Sequence, residues 1–271
     1  MENLSKKLLL FLILFLFSGY LFSEKNDLII QSTTSTRDSG LYKYLMPIFS
    51  KKFNVDVSVV AVGTGQALSN AKNCDADILI VHARDLEEKF VKDGFGSMRS
   101  NLMYNKFIII GPKTDPANIS TEKNIHDVFL KIMRSNSKFI SRSDDSGTYF
   151  SEMKIWNDLN LNPKIYSGNW YLESGQGMGA TLNIAIGINA YTFTDSSTWI
   201  RFKNKSSHTI LFESNETAMY NQYGVIKINP KHCPGLNHMD AGNLYDWLLS
   251  KEGQNLINGY KLHGKQLFYA N

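Results

Sequence analysis

Short apolar runs alternate with amphipathic segments along most of this chain, and that alternation restricts the fold more than any other feature. The runs "DLII", "VDVSVVAV", "DILIV", "KFIIIG", "KFIS", "INAYTF", "HTILF" and "YGVIKI" are rich in Ile, Val and aromatics and edged by Gly, Asn, Asp or Ser, as strands are. Between them "IHDVFLKIM" sets Ile125, Val128, Phe129, Ile132 and Met133 at helical spacing, and "YFSEMKIWNDL" does so with Phe150, Met153, Trp156 and Leu159. "AGNLYDWLLSKEGQNLING" lines up Leu244, Trp247 and Leu248 as one further helix. The alternation predicts an α/β fold of mostly parallel sheets flanked by helices. There are more units than one small sheet needs. The chain leaves one domain at "FIIIGPKTDP", where a strand stops at Gly111, and returns at "YGVIKINP". Two crossover strands then join two domains, residues 24–110 with 225–271 and residues 111–224. No internal repeat or low-complexity tract is evident.

The first 23 residues stand apart. Lys6 and Lys7 precede an unbroken apolar run from Leu8 to Phe17, and Ser23 offers a small residue for cleavage, the layout of a secretory signal peptide. That run falls short of the roughly 20 residues that span a bilayer, and no cysteine lies near the cleavage region to carry a lipid. The mature chain is expected to be exported and soluble, starting near Glu24. Losing Lys6, Lys7 and Glu2 takes the formal charge from +4 to +3. So small a surplus, without a basic run, argues against nucleic acid as a partner and suits a small anion.

Four junctions combine glycine with Ser, Thr or Gln just before a helical run: "STTSTRDSG", "VGTGQAL", "SRSDDSGTY" and "SGQGMGATL". The first backbone N–H groups of a helix lack partners within it, and the helix dipole makes that end positive. Glycine lets a ligand approach the backbone and a hydroxyl adds a donor, so such junctions hold anions without many positive charges. Helix capping accounts for any one of them; four in one chain favour a shared ligand. "GTGQAL" lacks the Lys-Ser/Thr of a nucleotide loop. "DDSGT" is not a nucleophile elbow, and none of the six histidines sits in an obvious motif that would make it a base for Ser146. Arg142 follows "KFIS" at the carboxyl edge of a strand, where a guanidinium suits a tetrahedral oxyanion. An ion pair with Asp144 or Asp145 fits the same position equally well.

Cys74 and Cys233 admit three readings: one disulfide, two separate buried thiols, or, for Cys233 alone, a metal site with His232, His238 and Asp240. The spacing of the last set matches no familiar ligand pattern.

Taken in order, "TTSTRDSGL", "VGTGQAL", "RSDDSGT" followed by "E..IW", "GQGMGATLNIA" and "AYTFTD" resemble the tungstate-binding proteins of Tup-type ABC transporters. The resemblance runs from about Ile29 to Asp195, with a looser echo in "YGVIKINP" and "WLLSKEGQNLI". It implies a periplasmic binding protein of type II, two hinged domains that close on tungstate or molybdate and deliver it to a permease and ATPase. Carried over by motif, it implies ligand contacts from Thr34, Ser35, Thr64, Gly65, Arg142, Ser146, Gly147 and Thr148, with Gln176 and Met178 lining the cleft. The chain departs from the family at Tyr149, where histidine is frequent, and at Ser196, where a basic residue is frequent. No catalytic residue, cofactor or protein-bound metal is expected, and the chain is expected to be monomeric. The alternatives are a molybdate- or phosphate-binding protein and, in another class, an exported α/β hydrolase.

Overall fold

The computed structural model describes residues 27–271, so the leader and its cleavage point lie outside the described residues. The apolar run β1 (Asp27–Thr33) leads into a short helix α1 (Thr34–Ser39), and Gly40, left-handed at φ 86°, turns the chain into α2 (Leu41–Phe53). There follow β2 (Asp56–Val62), α3 (Thr64–Lys72), β3 (Ile78–Val81) and α4 (Arg84–Lys92). The long strand β4 (Gly96–Pro112) precedes α5 (Ile125–Arg134), β5 (Phe139–Ser141), α6 (Gly147–Asp158), β6 (Tyr171–Glu173) and α7 (Met178–Gly187). Then come β7 (Thr192–Asp195), α8 (Ser196–Arg201), β8 (His208–Phe212) and β9 (Tyr220–Ile228). The chain closes with α9 (His238–Leu249), α10 (Lys251–Gly259) and a short strand at Tyr269–Ala270. Among the described residues no helix is long and apolar enough to cross a membrane.

The sheet is mixed. β1 pairs in parallel with β2 and β3, and β5 with β6. The crossing strands break the pattern: β9 runs antiparallel between β3 and β4, and β4 pairs antiparallel with β7 and β8. A strand that carries the chain out and one that carries it back must run in opposite directions, which is why parallel order stops there. The predicted "KFIIIG" is only the far half of β4. Residues Gly96–Lys106 pair with β9, and from Phe107 onward the same strand pairs with β7.

Apolar side chains gather on either side of that change. One core joins Leu28, Ile30, Phe49, Tyr223, Trp247 and Phe268, with a satellite around Ala67, Val81 and Phe90. The other joins Phe107, Phe129, Phe139, Trp156, Tyr171 and Phe193, with Ile108, Met178, Leu182 and Trp199 beside it.

The predicted C-terminal helix is two helices. Ser250 is extended (φ −68°, ψ 161°), and its hydroxyl accepts from Gly253 N at 3.3 Å, which ends α9 and caps α10. A Cβ on Gly253 would lie 2.9 Å from Leu248 Cα, so the close stacking of the two helices requires glycine there. Cys74 and Cys233 form a disulfide across 159 residues. In the chain-entropy account, closing a loop of that length removes about 5 kcal/mol of freedom from the unfolded chain. Bonded sulfurs are not thiolate ligands, so the metal reading fails along with that of separate thiols.

Candidate functional site

All four hydroxyl- and glycine-rich junctions lie where a strand ends and a helix begins. Thr33 pairs with Val62 across β1 and β2, so the starts of α1 and α3 are side by side. Ser141 pairs with Glu173 across β5 and β6, which places the loops that lead to α6 and α7 side by side. The two groups then meet. Gly65 N donates to Asp145 O at 3.2 Å. A Cβ on Gly63 would lie 3.2 Å from Asp144 O, and one on Gly147 would lie 2.6 Å from His82 Nδ1 and closer still to the His82 carbonyl. Glycine at these two positions is what lets helix starts from different cores touch.

Two hydroxyls in this region are buried without a hydrogen-bond partner: Thr64 Oγ1 at the start of α3 and Thr148 Oγ1 at the start of α6. A buried donor left unpaired costs about 1–3 kcal/mol, so such groups point to a ligand. Arg142 is 3% exposed, and its Nε (3.2 Å) and Nη2 both donate to Asp144 Oδ2. Asp144 Oδ1 is buried and unpartnered. The loop holds this shape with Ser143 and Asp145 in the left-handed region, at φ 47° and 53°.

The other predicted positions have varied surroundings. Ser146 Oγ accepts from Tyr149 N at 3.2 Å and caps α6. Ser35 Oγ lies 3.3 Å from Thr33 Oγ1, and Thr34 is half-buried at the first position of α1. The amide of Gly65 is already taken by Asp145. Gln176 is exposed. Met178 packs among Ile108, Ile110, Leu182 and Trp199, so its side chain belongs to the core because the first turn of an apolar helix faces inward there. What that junction offers a ligand is backbone. A Cβ on Gly177 or Gly179 would meet nothing within 4 Å.

Sequence reasoning missed the polar floor beneath these loops. His82 Nδ1 lies 2.8 Å from Asn221 Oδ1, and Asn221 Nδ2 donates to Asn105 Oδ1 at 2.7 Å and to the Tyr223 hydroxyl at 3.1 Å. Asn105 Nδ2 reaches Ser197 Oγ at 2.9 Å and Asp195 Oδ1 at 3.2 Å. Asp195 caps α8, accepting from Thr198 N and from the hydroxyls of Thr198 and Ser197. Burial lowers the His82 pKa to about 4 against the pull of Asp195 and Asn221. Burial and the Asp195 charge raise that of Tyr223, whose hydroxyl also meets Ser35 and Thr36. The network therefore ties the start of α1 to that of α8, with the His82 ring packed against Gly147 at the start of α6. A signal existed: "MYN" occurs at both 103–105 and 219–221. Asn105 and Asn221 face each other where β4 and β9 cross between the cores.

Glu152 holds Ser141, the residue before Arg142. It is buried and accepts from Ser141 Oγ (2.7 Å), the Tyr171 hydroxyl (2.8 Å) and Trp156 Nε1 (3.3 Å). No cation is among these partners, and burial pushes its pKa up to about 7.

The family described as "PBP superfamily domain" matches residues 23–252. The chain belongs to the PBP superfamily. Among PBP relatives, the tungstate-binding protein TupA of Peptoclostridium acidaminophilum is 41% identical over 91% of this chain and 86% of its own length. The crystal structure of the tungstate ABC transporter from Geobacter sulfurreducens superposes with a TM-score of 0.78 at 44% identity, covering 86% of this chain and 98% of that one. The tungstate-binding protein TupA from Desulfovibrio alaskensis also gives 0.78, at 39% identity over 91% of this chain and 99% of its own.

Proposed function

We propose that this PBP-superfamily chain is the solute-binding component of an ABC importer and that it captures tungstate, with molybdate as the near-equivalent ligand. The observation that carries the reading is the pair of buried, unpartnered hydroxyls, Thr64 Oγ1 and Thr148 Oγ1, at apposed helix starts beside Arg142. The names of the similar proteins point to the same ligand. Export to the periplasm behind the leader, a monomeric state and delivery to a permease and ATPase belong to this proposal.

The two cores act as two lobes, near the boundaries expected from the sequence, 24–110 with 225–271 and 111–224. Side-chain packing favours boundaries nearer Lys106 and Tyr220, where β4 leaves β9 for β7 and β9 begins. A dianion that loses its water costs several kcal/mol unless its oxygens gain hydrogen bonds. Bonds to a charged group return about 1.5–3 kcal/mol each. Thr64 and Thr148 supply hydroxyls, the starts of α6 and α7 supply amides, and Arg142 supplies the formal charge, oriented by Asp144. A ligand that touches both lobes shifts the population toward the closed form.

Titration calorimetry with tungstate, molybdate, sulfate and phosphate tests this, with binding expected for the first two alone. Arg142→Ala should weaken tungstate binding by about 2–5 kcal/mol. Binding of phosphate alone would overturn the ligand assignment. Ester hydrolysis abolished by Ser146→Ala would establish the hydrolase instead.

A further inference from the structure

The disulfide and His232 sit at the opposite end of α3 from Thr64 and Gly65. The helix has nine residues and is about 13 Å long at 1.5 Å per residue. Its buried face is Ala67, Leu68 and Ala71, laid on Leu79, Val81, Phe90 and Ile226. Alanine methyls bury area but form shallow ridges, so this face resists separation better than sliding along the helix axis. Asn70 Nδ2, in the last turn, donates to Gln31 Oε1 at 3.2 Å, and at the other end Gly65 N donates to Asp145 O at 3.2 Å.

The Cys74 end is held more firmly. His232 Nε2 donates to the Lys72 carbonyl at 2.8 Å. Cys74, left-handed at φ 64°, ends the turn and is bonded to Cys233. Cys233 is itself fixed: its amide donates to Asn229 O at 3.0 Å, and its carbonyl accepts from His238 Nε2 at 2.7 Å. This clamp lies just beyond β9, the strand that returns between the cores. A rigid helix this short carries an axial displacement at Cys74 undiminished to Thr64.

We infer that the Cys74–Cys233 bridge, with His232, is a positioning element that sets where Thr64 stands in the ligand site and how Gly65 meets Asp145. Its ligand readout rests on the proposed function; its dynamic readout does not. Wild type and the Cys74→Ser/Cys233→Ser double variant are compared well below their unfolding midpoints, by hydrogen exchange without ligand and by calorimetry with tungstate. Exchange should quicken at the Gly65 and Ala67 amides, at the end remote from the bridge. Tungstate affinity should fall roughly tenfold, as when an outer-shell support of a metal site is removed. His232→Ala keeps the bridge and should move both readouts in the same direction by less, which serves the test if the double variant does not fold. Faster exchange confined to residues 71–74, or affinity within about twofold of wild type, overturns the inference. Wild type that fails to bind tungstate refutes the functional proposal, and the exchange result still decides this one.

Discussion

Glu152→Gln isolates one buried carboxyl that holds Ser141, the residue before Arg142. The carboxyl is 2% exposed with three neutral donors and no cation, and its pKa rises from 4.5 to about 7. The folded protein therefore binds a proton that the unfolded chain releases between those two values. The stability this gives is fully present below the unfolded pKa and is lost as pH rises through the folded one. At 1.36 kcal/mol per pKa unit, wild type forfeits about 2–3 kcal/mol relative to the amide variant between roughly pH 5 and pH 8.5. The amide oxygen can still accept from Trp156 and Tyr171, and its NH2 can donate to Ser141 Oγ, so the shape of the site is kept. Urea denaturation of both proteins at the two pH values measures the difference directly. The gap between the curves should widen in favour of Glu152→Gln as pH rises, equivalent to several degrees of melting temperature in a chain of this size. Parallel pH profiles would mean that Glu152 is ionised throughout and that its donors outweigh burial.

Thr148→Val removes a hydroxyl with no protein partner, so the ligand-free fold should gain up to about 1 kcal/mol by thermal melting while tungstate affinity falls at least roughly tenfold by calorimetry. Loss of stability with unchanged affinity would place that hydroxyl outside the site. Gly147→Ala drives a methyl group into His82, and overpacking of about 1–3 kcal/mol should appear as weaker ligand binding, since it pushes apart the two helix starts that the proposed site needs together. Acidification from pH 6.5 toward 4 should destabilise wild type through His82, because its pKa is lowered on folding and the unfolded chain takes up the proton first. His82→Gln should flatten that part of the stability profile.

Local pattern gave the elements well where one face meets one core. The helix over Ile125–Arg134 and the strand over His208–Phe212 follow from local pattern, and "DLII" found the first four residues of the strand Asp27–Thr33. It failed where two cores share a segment. The first half of β4, "GSMRSNLMYN", alternates poorly because Asn105 turns inward to a polar floor and Arg99 pairs with buried Glu87 at 2.8 Å. Which way β4 and β9 run relative to their neighbours is a property of the crossing, not of either strand. At the site, residue type and order marked the four junctions, but they could not say that Gly65 spends its amide on Asp145 or that Met178 turns inward. Those outcomes depend on contacts between segments some 80 residues apart, as Gly65 and Asp145 are.

The position of β9 also bears on how the chain is made. It is the strand that links β4 to β3, so the sheet of the first core has a gap in its middle until residue 228 is available. The second core draws on residues 107–219, an unbroken stretch. During vectorial synthesis or export, therefore, the inserted portion is complete before the portion that begins the chain. The early strands β1, β2 and β3 must wait with an open edge for a partner made near the end, and that interval is when a chaperone would find them exposed.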